Sequence, residues 1–185
     1  MEKAAPRALV LFADGFEEIE TVTVIDVLRR ADVQVVTASP GGGFVAGSRG
    51  VRVESERRLA GLSARDFDAV VLPGGMENAR TLSVDPDAQR LIREARRLEL
   101  WVAAICAAPL ALKAAGAIGG ARLTSHPSIE KELAGERYHD DRVVQDGRLL
   151  TSRGPGTALE FALALVGGLC GPEKAAAVAA PMMVR

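Results

Sequence analysis

The sequence predicts an α/β protein, a three-layer sandwich built on a mostly parallel sheet. Two observations carry that reading. Short uninterrupted apolar runs, such as Ala8-Leu9-Val10-Leu11-Phe12-Ala13 and Ala69-Val70-Val71-Leu72, alternate with stretches of helical spacing, and no hairpin turn joins the first strands. Apolar runs without alternation belong to strands covered on both faces, which is the condition of a parallel sheet. Composition agrees: 48% of residues are hydrophobic but only 4% aromatic, so the core is Val, Leu, Ile and Ala. Such a core lets helices lie close to a sheet. A length of 185 residues fits a single domain over 1–185. Folding at that size buries roughly 70% of the unfolded chain's surface, so neither metal nor disulfide is required for stability.

Taken in order, the run at 8–13 is a central strand, broken by Asp14-Gly15-Phe16. A helix is expected from Glu17 to Arg30, with Ile19, Val22, Ile25 and Leu28 at helical spacing, an acidic first turn and Arg29-Arg30 in the last. Val33-Gln34-Val35-Val36-Thr37-Ala38 is the second strand, and this β-α-β opening calls for a parallel pair with a right-handed crossover. The glycine-rich stretch Ser39 to Gly50 reads as a loop and short hairpin ending at Val51-Arg52-Val53. The strand at 69–72 stops at Pro73-Gly74-Gly75. Asp85-Pro86-Asp87 supplies a capping residue and an N-terminal proline for a helix carrying Leu91, Ile92 and Ala95.

Trp101-Val102-Ala103-Ala104-Ile105 is the next buried strand. Cys106 follows at once, and Ala107, Ala108 and Pro109 open a helical pattern through Leu110, Leu112 and Ala115. Leu123-Thr124-Ser125 is a short strand leading to His126-Pro127 and a helix with Ile129 and Leu133. Residues 142–145 and 148–152 form a hairpin around Asp146-Gly147, a pair suited to a type I′ turn. Thr157 with Glu160 three residues on reads as a capping box for the helix 161–169, and Gly171-Pro172 separates it from a last helix, 173–180.

Ligands of such sheets bind beyond the carboxyl ends of the strands. The breaks after Ala13, Leu72, Ile105, Ser125 and Ser152 all fall at that edge. They bring Gly15 to Glu20, Gly74-Gly75, Cys106, His126 and the segment Arg153 to Gly156 toward one pocket. Cys106 at a strand-to-helix corner resembles the nucleophile elbow of hydrolases, and a helix N-terminus is expected to lower its pKa toward thiolate. Gly74-Gly75 offers either oxyanion-facing backbone N–H groups or a tight turn. Glu17, Glu18 and Glu20 crowd one helix start; Glu17 and Glu18 read as complements of the helix dipole, and spacing alone does not single out Glu20 as the partner of a thiolate. His126 is the natural base for a Cys/His pair, or a histidine that merely lines the pocket.

Other chemistry finds little support in the residues. Charge is balanced, 23 Lys+Arg against 24 Asp+Glu, so no nucleic-acid partner is indicated. No Gly-x-Gly-x-x-Gly or Walker-type loop follows a strand, and no second His or Cys stands at ligand spacing, so neither a nucleotide cofactor nor a metal is expected. The two cysteines are too few for a disulfide framework, and Cys170, at a helix end, reads as structural. The stretch 1–7 has neither a leader pattern nor a membrane span, which gives the expectation of a cytoplasmic protein with reduced thiols and no membrane partner.

Glu17-Glu18-Ile19-Glu20, Leu72-Pro73-Gly74-Gly75, Ala103-Ala104-Ile105-Cys106-Ala107-Ala108-Pro109 and Thr151-Ser152-Arg153-Gly154-Pro155-Gly156-Thr157 together resemble the ThiJ/PfpI superfamily, most of all its DJ-one branch. The resemblance runs from about Ala8 to the last helix, with the motifs in the same order. It implies a flavodoxin-like sandwich and a homodimer with the first helix at or near the interface. By the same resemblance Cys106 is the nucleophile, Glu20 its hydrogen-bonded carboxyl partner, and Gly75 and Ala107 the donors of backbone N–H groups to the sulfur. His126 matches a pocket histidine of the family, and Ser48-Arg49-Gly50 a segment beside the site, with Gly50 where some members carry an acid. The activities implied are the cofactor-free conversion of methylglyoxal or glyoxal to a hydroxy acid (glyoxalase III) and deglycation of early adducts. The alternative is a redox sensor and redox-linked chaperone that oxidises the same cysteine to sulfinate. A PfpI-type peptidase would carry histidine at position 107, where Ala107 stands. An amidotransferase would show His-x-Glu, yet Pro127-Ser128 follows His126 and Asp140-Asp141 follows His139.

Overall fold

A computed structural model describes residues 4–184. The first three residues of the stretch read above as lacking a leader lie outside it. β1 (Arg7–Leu11), β2 (Gln34–Ser39) and the helix α1 (Glu18–Arg30) between them form the opening unit. The hairpin β3 (Gly43–Ala46) and β4 (Arg52–Ser55) follows, then the two-residue strand β5 (Arg57–Arg58). Next come β6 (Ala69–Leu72), α2 (Met76–Val84), α3 (Pro86–Arg97), β7 (Trp101–Ile105) and α4 (Pro109–Ala114). The chain continues through β8 (Arg122–Leu123), a 3-10 helix (Pro127–Leu133), β9 (Arg137–Tyr138), β10 (Val143–Asp146) and β11 (Leu149–Ser152). It ends with α5 (Ala158–Cys170) and α6 (Pro172–Ala179).

Seven strands make one sheet in the order β10-β11-β7-β6-β1-β2-β5, parallel throughout except for β10 at the edge. Leu9, Val70 and Val102 share one register level across β1, β6 and β7. Their faces alternate along each strand. Leu9, Leu11, Val70, Leu72 and Val102 pack with α2, α3 and α4, whereas Val10, Val71, Ala103 and Ile105 pack with α1 and α5. The three layers and the mostly parallel sheet are those predicted. No helix among the described residues is long and apolar enough to cross a membrane.

Four local expectations need correction. α2 leaves no apolar period to read, because Ala79 and Leu82 are the only buried apolar residues in its nine. Asp85 ends α2 and caps α3 at the same time, its carboxylate accepting from the Ala88 N–H at 2.8 Å. β8 does not join the main sheet; it pairs with β9 as a separate ribbon. The β10–β11 loop is Gly147-Arg148, since Asp146 pairs with Leu149, and of these two only Gly147 has positive φ (58°). A type I′ turn needs positive φ at both, so the hairpin uses glycine at the first loop position in the manner of a II′ turn. The capping box at Thr157 does not form. Thr157 Oγ1 lies 2.6 Å from Ser152 Oγ and donates to Gly154 O at 2.9 Å, while Glu160 accepts from Arg142 instead.

Candidate functional site

At the carboxyl end of β7 the chain turns through Cys106 with φ of 64°, a conformation that non-glycine residues rarely adopt. Hydrogen bonds on both sides hold it there. The Cys106 N–H donates to Ser152 O at 3.0 Å, and its carbonyl accepts from the His126 N–H at 2.9 Å. The first extends the β7–β11 ladder; the second ties the corner to the segment after β8. Strain of this order, about 1–3 kcal/mol, persists only where the surroundings over-determine the geometry.

Glu20 reaches the corner from the first turn of α1, and the sequence puts it there through its cap. Glu17 precedes the helix with extended backbone, and its carboxylate accepts from the Glu20 N–H at 2.8 Å. Glu20 is fully buried; its Oε2 accepts from the Gly74 N–H at 2.7 Å. Its Oε1 has no hydrogen-bond partner among the described residues, and the carboxyl as a whole interacts with the Cys106 thiol. Gly74 is the spacer between the two: a Cβ there would lie 2.5 Å from both the Cys106 Cβ and Glu20 Oε2. Gly75 has φ of 94°, and a Cβ on it would stand 2.1 Å from Gly15 O. Glycine at both positions lets the loop close on the sulfur, with the N–H groups of Gly75 and Ala107 directed at it.

Asn78 is a positioning residue that sequence reasoning missed. Buried in α2, it donates to Pro73 O at 2.8 Å and Gly74 O at 3.0 Å, and accepts from the Ala13 N–H at 2.7 Å. It thereby locks the glycine turn to the end of β1. The only hint in the sequence is a polar residue three positions beyond Gly74-Gly75.

Glu18 does not serve the helix dipole alone. Its carboxylate accepts from Ser48 Oγ at 3.0 Å and from the Arg49 N–H, pinning the β3–β4 turn against α1. The Arg49 guanidinium donates to Ser48 O at 3.3 Å, and that of Arg153 turns to Asp140, 2.7 Å from its carbonyl and 2.8 Å from Oδ1. His126 Nδ1 lies 2.8 Å from Ser128 Oγ and accepts from the Ser128 N–H at 3.2 Å, capping the 3-10 helix. That engagement leaves Nε2 to carry the proton. The ring lies beside Gly154, a Cβ on which would be 3.5 Å from His126 Cδ2. The corner thus draws together Cys106, Glu20, Gly74, Gly75 and Ala107, with His126 on the rim and both arginines directed to other partners. A surface cavity of about 710 Å³ between α2 and α4 is lined by other residues.

The electrostatics overturn the expectation of a thiol acidified by its corner. Burial pushes Cys106 up to about 12, assisted by the charge of Glu20 and outweighing the N–H groups of Gly75 and Ala107. Burial likewise pushes Glu20 up to about 8, against the pull of the Gly74 N–H. Two acids in contact lose their protons in steps that belong to the pair. At neutral pH the pair is mostly doubly protonated, and one proton leaves near 8. The Cys106–Glu20 couple, rather than the helix terminus, governs how much thiolate exists.

A buried acid facing an elbow cysteine, on a parallel sheet of this topology, defines the class. The family model described as "DJ-1/PfpI family" matches residues 6–167, and the chain belongs to that family. Among its relatives, the Parkinson disease protein 7 homolog of Danio rerio is 41% identical over 98% of this chain and 99% of its own. The glutathione-independent glyoxalase DJR-1.2 of Caenorhabditis elegans is 35% identical over 97% of each. The crystal structure of Drosophila melanogaster DJ-1beta superposes with a TM-score of 0.94 at 42% identity, covering 98% of this chain and 99% of that one.

Proposed function

We propose that this protein is a cofactor-independent glyoxalase III-type enzyme, with deglycase-type action on early glycation adducts as the same chemistry on a larger substrate. The observation that carries the reading is the unpartnered Oε1 of a fully buried Glu20 beside Cys106. A carboxyl that exchanges its proton near 8 suits proton transfer at neutral pH, and a named glyoxalase among the relatives supports the substrate class.

In the proposed sequence the pair's single proton rests on sulfur at first, and the Glu20 carboxylate takes it as the attack begins. Cys106 Sγ attacks the aldehyde carbon of an α-oxoaldehyde, and the new alkoxide takes the Glu20 proton to give a hemithioacetal. The Glu20 carboxylate then removes the hydrogen from the former aldehyde carbon, forming an enediolate, and returns it to the neighbouring carbon as the hydroxyl proton passes from the first oxygen to the second. The product is a thioester of a 2-hydroxy acid. Water cleaves it, releasing the acid and the thiol. Atoms balance as aldehyde plus water to hydroxy acid, and no redox partner enters. Cys106 is the nucleophile and Glu20 the proton shuttle; the N–H groups of Gly75 and Ala107 face the sulfur and the oxyanion formed on the carbon it attacks. His126 borders the substrate, and Arg49 and Arg153 flank the site. By the same family likeness, the protein works as a cytoplasmic homodimer.

Turnover of methylglyoxal to lactate by wild type, Cys106→Ser and Glu20→Gln tests this. Loss of all activity in Cys106→Ser and a fall of about 10²–10⁴-fold in Glu20→Gln are expected. Unchanged turnover in Glu20→Gln would remove the shuttle. No turnover by wild type, with two oxygens added to Cys106 by mild peroxide, would favour a sensor. That second reading rests on one geometric point: Glu20 and the same two N–H groups would hold a sulfinate equally well.

A further inference from the structure

The opposite edge of the sheet, at the amino ends of β7 and β11, carries a second concentration of chemistry. A cleft of about 600 Å³ opens there between the end of α3, the loop before β8, β9 and the β10–β11 turn. That volume is in the range of small-molecule sites. Three guanidinium groups line it, from Arg96, Arg137 and Arg148. Two carboxylates share the cleft. Asp146 is already engaged, accepting from the Arg122 N–H at 2.8 Å with its guanidinium at 3.6 Å. That leaves Glu99 as the one lining carboxylate without a cation at contact distance among the described residues.

The arginines differ in their freedom. Arg148 Nη1 donates to Glu99 O at 2.8 Å, so this guanidinium is held in place at the wall. Arg96 and Arg137 make no side-chain hydrogen bond or ion pair at contact distance to a described residue; Arg96 is half-buried, whereas Arg137 is exposed and acts on Asp146 only through its charge. Beside them, Gly119 (φ 62°) and Gly120 (φ 76°) turn through the left-handed region. Neither amide N–H donates to another described residue. Planar guanidinium forks with spare donors, beside unengaged backbone N–H groups, match an oxyanion bearing several oxygens. The cleft's three arginines outnumber its two carboxylates, so an anion of two or more charges placed among them is attracted.

We infer that this cleft binds a small phosphate-bearing anion of at least two negative charges, gripped by Arg96 and Arg137 and by the N–H groups of Gly119 and Gly120, with Arg148 as a fixed wall. The length of β7 separates it from Cys106, about 16 Å at the rise of a strand. The inference stands whatever reaction Cys106 performs.

The test is an NMR titration of the full chain with inorganic pyrophosphate, following amide resonances at low salt and again with added sodium chloride. The Gly119 and Gly120 amides are expected to shift saturably in wild type and equally in Cys106→Ser, with affinity falling as salt rises. Each lost charge-assisted contact weakens binding about tenfold, so Arg96→Gln with Arg137→Gln costs about a hundredfold. Neither side chain makes a hydrogen bond to the protein, so the fold is retained, which far-UV circular dichroism checks. Shifts centred on Gly75 and Ala107, no saturable shift, or wild-type affinity in the double variant would each overturn the proposal.

Discussion

At the residue scale the site reduces to one proton shared between a buried carboxyl and a half-buried thiol. Because the two groups are coupled, the first proton leaves near 8 and the second near 12. Glu20 gives up its proton first, so the carboxylate that draws the proton off Cys106 exists only above about 8, whereas free thiolate forms only toward about 12. The proposed mechanism therefore predicts that kcat/KM climbs through about pH 8 while the ultraviolet absorbance of thiolate rises only toward about 12, and that Cys106→Ser abolishes that absorbance. Cys106 was legible in the sequence because a five-residue apolar strand runs straight into it. Glu20 was legible only by family likeness: three glutamates stand within four positions, and helical spacing groups Glu17 with Glu20. What distinguishes Glu20 is a hydrogen bond to Gly74, 54 residues away, which no local pattern encodes. Asn78 was hidden for the same reason. The expected acidification of Cys106 failed because a helix terminus acts with fractional charge, whereas burial and a neighbouring carboxylate act at full strength.

At the scale of elements, strands that span the core announce themselves, and elements with little to bury do not. β1, β6 and β7 are covered on both faces and read directly as apolar runs. β5, β8 and β9 have two residues each, too few to carry a period. The contact of α5 with β7 shows how closely the layers approach. A Cβ on Gly168 would lie 2.3 Å from Cζ2 of the nearly buried Trp101 indole. Alanine in a helix interior gains about 1 kcal/mol over glycine. Overpacking against a rigid ring costs about 1–3 kcal/mol and wins here. Gly168→Ala is therefore expected to lower the urea midpoint, read by Trp101 fluorescence, whereas Gly167→Ala, with its Cβ at 3.9 Å from the nearest atom, has room to gain.

At the scale of the whole molecule, the sheet order brings the ends of β1, β6, β7 and β11 to one edge, and the site residues follow from that order. α1 has a second task in the proposed homodimer. Its outer face exposes Ile19 (57%) and Val22 (48%), large apolar side chains in a helix whose inner face is fully packed. The Glu18 carboxylate holds the 47–50 turn against the same helix, which makes that face a continuous surface. Val22→Glu places a charge where the second copy would press. It is expected to shift the protein from dimer to monomer in analytical ultracentrifugation while circular dichroism stays unchanged; a wild-type monomer would end the dimer proposal.

The two hydrogen bonds that hold Cys106 make its backbone part of the sheet rather than of a loop. One belongs to the strand ladder between β7 and β11, and the other to the segment beyond β8. Many enzymes carry their nucleophile on a segment that can open while the rest stays folded. Here the left-handed turn at Cys106 exists only while both neighbours are in register, so the sulfur has no private route to disorder. Under the proposed function, local opening and loss of the nucleophile become one event, and residual activity would measure the fraction of molecules whose central sheet is intact.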